Sequence, residues 1–442
     1  MLRRLSPILA ILLVVACTDS GATTTTVSDP GEATTTTEAS ATTTAGDTTT
    51  STSESPTTTA ADLSGVDGLS DEVKAQLEGL IGVAQEIRGL PFLSPPTITV
   101  VSDDELEALV REDIEEQSED FPADEALYKM LGLLNDAADF EQIILDLYGE
   151  QVAGFYDGDT EEIVVPTRED GFSLLQQGTI VHELVHALTD QHFAFHDTFQ
   201  TMIDEERLDE ASAYQALIEG DATLAEVLWI QTLSQAEVGE FIAESLGVDS
   251  SALESAPRFL TESLLFPYDT GLSFVQDLYL GAGSEWGEVN ESYPTLAGLP
   301  ASTEQVITPD DYTRDLPTSV EIPEIGLGGY ELERTSVWGE LGFRLMLNQG
   351  EGANTVAAAA DGWGGDSYHQ WFDGQNAALL IVYQGDTQGD VDELEQALLD
   401  FASESFPEDH FAWVDQLDGK LYFIAADETP VGEQIRASVG LD

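Results

Sequence analysis

Apolar residues dominate the 12 positions from 5 to 16, directly behind Arg3 and Arg4. That stretch is too short to cross a bilayer as a helix and has the size of a secretory signal core. Residues 69–90 space their apolar side chains as an amphipathic helix, which Gly89 and Pro91 end. Residues 97–101 are β-branched and short, which predicts a strand. Ser102-Asp103-Asp104-Glu105 then supplies an N-cap and an acidic first turn for a helix reaching about residue 115. Residues 124–149 predict a further helix. Residues 151–156 and 161–165 flank Asp157-Gly158-Asp159-Thr160, the pattern of a β-hairpin. A helix from about residue 172 to 191 follows, and a longer one from about 204 to 234. Residues 285–330, rich in Pro, Gly and Thr, predict surface loops. Beyond them the pattern predicts a helix over 331–348, a strand over 377–383, a helix over 391–405 and a strand over 420–425. The fold class expected is α+β.

Composition separates the N-terminal part from the rest. Residues 18–61 hold 19 Thr among 44 positions and no Lys or Arg. With almost nothing large and apolar to bury, that segment reads as a disordered tether. The organisation expected is a signal peptide over 1–16, a tether over 17–62, a main domain over 63–284, a loop-rich connector over 285–330 and an α+β unit over 331–442. Lys and Arg number 14 against 85 Asp and Glu, a net charge of -71. Such a chain lacks the cations that hold phosphates, which excludes nucleic acid as a partner. The single cysteine, Cys17, excludes an intrachain disulfide. It ends Val14-Val15-Ala16-Cys17, which resembles a bacterial lipobox. That resemblance implies lipidation of Cys17, an extracytoplasmic location, and contact with the membrane only through the N-terminal lipid.

Chemistry concentrates in Thr179-Ile180-Val181-His182-Glu183-Leu184-Val185-His186. On a helix, His182 and His186 lie one turn apart and about 40° around the axis, so both rings can face one ion. Glu183 lies beside them, within reach of a water on that ion. This is the H-E-x-x-H arrangement, in which two imidazoles hold Zn²⁺ and the carboxylate is the general base.

The segment resembles the zincin superfamily of metallopeptidases, in the branch whose third ligand is a Glu on a following helix. It is also similar to a group of secreted prokaryotic proteins with a longer HEL-x-HAL-x-DQ-x-F stretch (His182 to Phe193), an EGDA element (Glu219 to Ala222) and a GWGGD element (Gly362 to Asp366). The resemblance implies a zincin-like core with its active-site helix after a hairpin. It also implies a peptide substrate held as an added strand along the hairpin edge.

Zinc chemistry requires a third protein ligand and one open position. Glu219 sits amid apolar neighbours, where a carboxylate is costly unless paired or bound to metal. Gly220 beside it is unfavourable in a helix and makes sense if another backbone approaches closely. Asp221, Glu226 and Glu210 are further carboxylate candidates. His192 has the spacing of the third metzincin histidine, but Thr189 stands where that pattern needs Gly; otherwise it caps the end of the helix. An oxyanion donor among His196, Tyr214, Tyr268 and His369 is not fixed by spacing. The reading is a lipid-anchored zinc peptidase with Glu183 as base; the alternative is a zinc-binding or scaffold lipoprotein without activity. The acid excess makes a separate prediction. Added NaCl should raise the melting temperature by screening self-repulsion, and a midpoint independent of salt would contradict it.

Overall fold

The structure, a computed structural model, describes residues 9–11, 69–116, 118–166, 171–293, 298–348, 359–406 and 410–441. Cys17 and the Thr-rich tether lie outside them. Among the described residues no helix is long and apolar enough to cross a membrane. The chain is a mixed α+β protein. Its first part carries β1 (Leu9–Ile11), α1 (Asp71–Arg88), β2 (Thr97–Val101), α2 (Asp103–Glu116), α3 (Phe121–Met130), α4 (Phe140–Gln151), β3 (Val152–Asp157) and β4 (Glu162–Pro166). A helical middle follows: α5 (Leu174–Phe193), α6 (Phe195–Asp204), α7 (Leu208–Ile230), α8 (Gln235–Ser245), α9 (Ser251–Ser255), α10 (Arg258–Gly281), α11 (Gly287–Ser292) and α12 (Thr303–Ile307). The C-terminal part comprises β5 (Glu331–Ser336), α13 (Gly339–Leu347), β6 (Trp363–Phe372), β7 (Ala377–Gly385), α14 (Gln388–Ser405), β8 (Phe411–Leu417), β9 (Lys420–Ala426) and α15 (Thr429–Ser438).

The first sheet has the order β1-β3-β4-β2. The expected hairpin is there as β3 and β4, with Tyr156 opposite Ile163, and β2 runs parallel to β4. The second sheet, β5-β6-β7-β9-β8, is antiparallel throughout. A single apolar core runs from α1 through α5, α7 and α10 to one face of that second sheet. A smaller core on its opposite face gathers Trp371, Leu380 and Ile424 with Ile435 of α15.

Three expectations are corrected. Residues 124–149 form two helices, because Gly132 turns left-handed at φ 71° directly after α3. The helix expected from residue 204 begins at Leu208, after Glu206 takes a left-handed φ of 59° and separates it from α6. Residues 331–348 are a strand followed by a helix. Within β5 the buried positions are Arg334 and Ser336, a spacing of two that an inward-facing cation disguises. Arg334 is tolerated there because Asp124 accepts from its Nη1 at 2.8 Å.

Helices α7 and α10 meet backbone to backbone. A Cβ added at Gly220 would lie 2.2 Å from the Gly271 carbonyl oxygen, and one at Gly271 would lie 2.2 Å from that of Ala216. This close approach is the physical reason for Gly220. The start of α7 is in turn fastened to α12 by Asp209 and to β5 by the Leu208 amide, which donates to Ser336 Oγ at 3.1 Å. Asp209 accepts from Thr303 N at 3.1 Å and Thr303 Oγ1 at 2.5 Å. Asp366, the last residue of the GWGGD element, accepts from the Trp338 and Gly339 amides and from Trp363 Nε1 at 2.7, 2.9 and 2.7 Å. The element therefore anchors the turn into α13, with Trp363 buried against it.

Two predictions follow from this packing. Gly220→Ala should destabilise the fold by about 2–3 kcal/mol, because the added methyl meets a helix backbone that must move. Chemical denaturation reads this, and an unchanged midpoint would contradict the close approach. The second concerns pH. Burial pushes Asp209 up to about 7, with Asp366 and Glu340 adding repulsion, and burial pushes Glu340 itself up to about 7. Protons thus bind the folded state more tightly, so the stability these groups contribute falls as pH rises from about 4 to about 7. Glu340→Gln should flatten this part of the stability curve relative to wild type, and an identical pH slope would contradict it.

Candidate metal centre

Helix α5 is set in place at both ends. Ser173 and Gln176 form a capping box at its start, and Ala194, left-handed at φ 50°, turns the chain into α6. Every residue from Gly178 to Thr189 is buried, so the rings of His182 and His186 are held by packing on all sides. Helix α7 crosses beside it, apolar almost all round, and brings in Glu219. His186, Glu183 and Glu219 are 0% exposed and His182 only 4%.

Three ligand-type atoms converge. His182 Nε2 lies 3.1 Å from Glu219 Oε2, His186 Nε2 lies 2.9 Å from His182 Nε2, and His186 Nε2 lies 3.3 Å from Glu219 Oε2. Tetrahedral zinc with bonds near 2.0 Å would separate its ligand atoms by about 3.3 Å, so the observed triangle matches its donor spacing closely. Among the described residues this is the one group of three His, Cys, Asp or Glu residues close enough to hold an ion. The donor chemistry fits as well. Two imidazoles and one carboxylate are a usual catalytic zinc set with one corner left open.

The electrostatics are those of a site short of positive charge. Burial alone would lower His182, but the hydrogen bond to Glu219 and the charges of Glu183, Glu219 and Glu226 outweigh it, pushing the ring up to about 9. Burial lowers His186, against the pull of Glu219. Burial raises Glu183 well above the ordinary carboxyl range, and both its oxygens lack a hydrogen-bond partner among the described residues. Glu219 is pushed up by burial and pulled down further by the two imidazoles, so the net direction is down. A buried carboxylate with no partner, beside a carboxylate and two rings, is a costly arrangement that a divalent cation relieves.

The other candidates are placed elsewhere. His192 Nε2 donates to the Pro91 carbonyl at 2.7 Å and is not part of the triangle. Asp221 receives a two-point ion pair from Arg88, at 2.7 and 3.0 Å, and the Tyr293 hydroxyl at 2.9 Å. Glu210 pairs with Arg207. Glu226 stands behind the site: its Oε2 lies 3.8 Å from His182 Nδ1, the ring nitrogen facing away from the triangle. That is the position from which a carboxylate orients a ligating histidine. Of the donor candidates, Tyr268 lies beside the site, its ring centroid 6.2 Å from that of His182. His196 is held by Asp159 at 3.0 Å, and His369 belongs to β6, packed on Trp371.

Sequence reasoning missed what the residues after His186 do. Asp190 Oδ2 accepts from the Tyr156 hydroxyl at 2.9 Å and its Oδ1 from the His196 amide at 3.0 Å. Gln191 Oε1 accepts from the Leu93 and Ser94 amides at 2.8 and 3.1 Å. The DQ-x-F part of the stretch thus ties β3 and residues 91–94 to the end of α5. The signal was present as three polar residues on the last turn of a buried helix.

Compared with known protein families, residues 329–435 match a domain of unknown function, DUF8575. That match covers the C-terminal part and none of His182, Glu183, His186 and Glu219. Comparison with curated proteins and with solved structures gives no match.

Proposed function

We propose that this chain is a zinc-dependent metallopeptidase with a zincin-like core, anchored outside the cytoplasm through lipid on Cys17. The observation that carries the reading is the triangle of His182, His186 and Glu219 with the unpartnered Glu183 carboxylate one residue along the same helix. His182, His186 and Glu219 hold the ion. Zinc in such a site supplies a water that ionises near neutral pH and polarises the scissile carbonyl. Glu183, kept out of solvent beside that position, would act as the base there, accepting a proton and delivering it to the leaving amine. Glu226, with Oε2 3.8 Å from His182 Nδ1, adds negative charge behind the ring and is the acid placed to orient it.

The hairpin supports a peptide as the substrate. Strand β3 lies against α5 with its backbone near Glu183, and Tyr156 fixes it to Asp190. Its outer edge pairs antiparallel with Leu9–Ile11, a segment of the expected signal peptide that the form lipidated on Cys17 would lack, leaving the edge open. An edge that takes one extended segment presents the backbone groups a bound peptide would use.

Purified protein should contain about one zinc per chain, and Glu219→Ala should lose it. Glu183→Gln should keep the metal and the melting temperature while its hydrolysis of an unstructured protein substrate falls by about 10²-fold or more. Metal-free wild type, or a Glu183→Gln variant that cleaves at the wild-type rate, would overturn the assignment. Zinc retained with no hydrolysis in wild type would leave a binding lipoprotein.

A further inference from the structure

Beside the metal centre lies a partly open chamber of about 170 Å³ that the chemistry above does not use. Its wall along α7 is formed by Leu208, Ala211, Ser212 and Gln215. These positions share the helix face that reaches Glu219 one turn later, a rise of about 6 Å. On the α10 side the wall includes Tyr268, whose ring also faces His182. Chamber and ion site are therefore neighbours along one helix, with Tyr268 between them.

The lining decides the class of occupant. Phe140, Phe199 and Phe259 make it chiefly aromatic and aliphatic. Its volume is close to that of a cavity of about 150 Å³ that accepts one benzene ring, which favours a single ring over a long acyl chain. At the far wall stands Arg334, 4% exposed. Its charge is taken by Asp124 at 2.8 Å, and Asp120 lies 3.5 Å away. Gln370 Oε1 and the Tyr368 hydroxyl also lie against the guanidinium, while Arg334 Nε itself has no acceptor within hydrogen-bond distance among the described residues. A buried donor whose charge is already balanced calls for a neutral oxygen rather than a second carboxylate.

We infer that this chamber receives an aromatic side chain of the bound peptide, tyrosine in preference to phenylalanine, with the phenol oxygen accepting from Arg334 Nε. The inference rests on the peptidase reading for the source of the ring, while the chamber itself can be tested without turnover. Asp124 and Asp120 at the same wall repel acidic side chains.

The experiment uses the full zinc-loaded protein and p-cresol as the probe, with toluene as its isostere. Titration followed by NMR should show p-cresol binding about tenfold tighter than toluene, the discrimination expected of one hydrogen bond from a charged donor. Ser263→Phe, which fills the chamber from α10, should weaken p-cresol by at least about tenfold while the zinc content stays unchanged. Of two peptides differing only by Tyr against Ala, the Tyr peptide should show about tenfold higher kcat/KM, a ratio lost in Ser263→Phe. No binding of p-cresol to wild type, or equal cleavage of the two peptides, would overturn the inference, and neither measurement depends on how the variant folds. Binding of p-cresol with no cleavage of either peptide would overturn the peptidase reading and leave the ring-binding chamber standing.

Discussion

A carboxylate stripped of water and set against two imidazoles equally stripped of water is the constraint around which the helical middle of this chain is built. Glu219 and His186 are wholly buried and His182 nearly so. Burying such groups costs several kcal/mol each unless opposite charge is supplied. The surrounding carboxylates raise the proton affinity of His182, and Glu183, buried and unpartnered beside the same rings, leaves the cluster short of positive charge. A divalent ion would balance the whole set, and on that ground burial here argues for chemistry rather than for packing.

The rest of the architecture keeps that cluster in register. Helix α7 cannot slide, because Gly220 and Gly271 bring it into backbone contact with α10. It cannot rotate freely either, because Arg88 grips Asp221 in a buried two-point ion pair and stacks on Trp286. Arg88 belongs to α1, so the first helix of the described chain braces α7. Asp209 fastens the other end of α7 to α12, and the Leu208 amide donates to Ser336 Oγ of β5 at 3.1 Å. Asp190 and Gln191 do the same for β3 and residues 91–94 at the end of α5. The EGDA and GWGGD elements are thus a candidate ligand with its brace and a buried seam, respectively.

Much of the site was legible because its signals are local. Two histidines one turn apart need only the helical period, and an acid among apolar residues with a glycine beside it marks a buried charge at a helix contact. The hairpin before α5 was legible from its turn residues. The C-terminal part was harder, since its strands hide their pattern. Arg334 points inward in β5 and is paired by Asp124, 210 residues earlier in the chain, and by Asp120. Strand β6 is buried on nearly every residue yet carries Asp366, His369 and Gln370, so it shows neither alternation nor an apolar run. Tyr268 and Arg334 became visible as site neighbours only once distant helices and strands were brought together.

The claim beneath all of this is that three protein atoms, and no fourth, meet on one zinc ion. Zinc-edge X-ray absorption of the purified protein measures that directly. The account predicts a first shell of two imidazole nitrogens, one carboxylate oxygen and one water-type oxygen, at about 2.0–2.1 Å. A shell closed by four protein ligands, or one of oxygen atoms without imidazole, would contradict it.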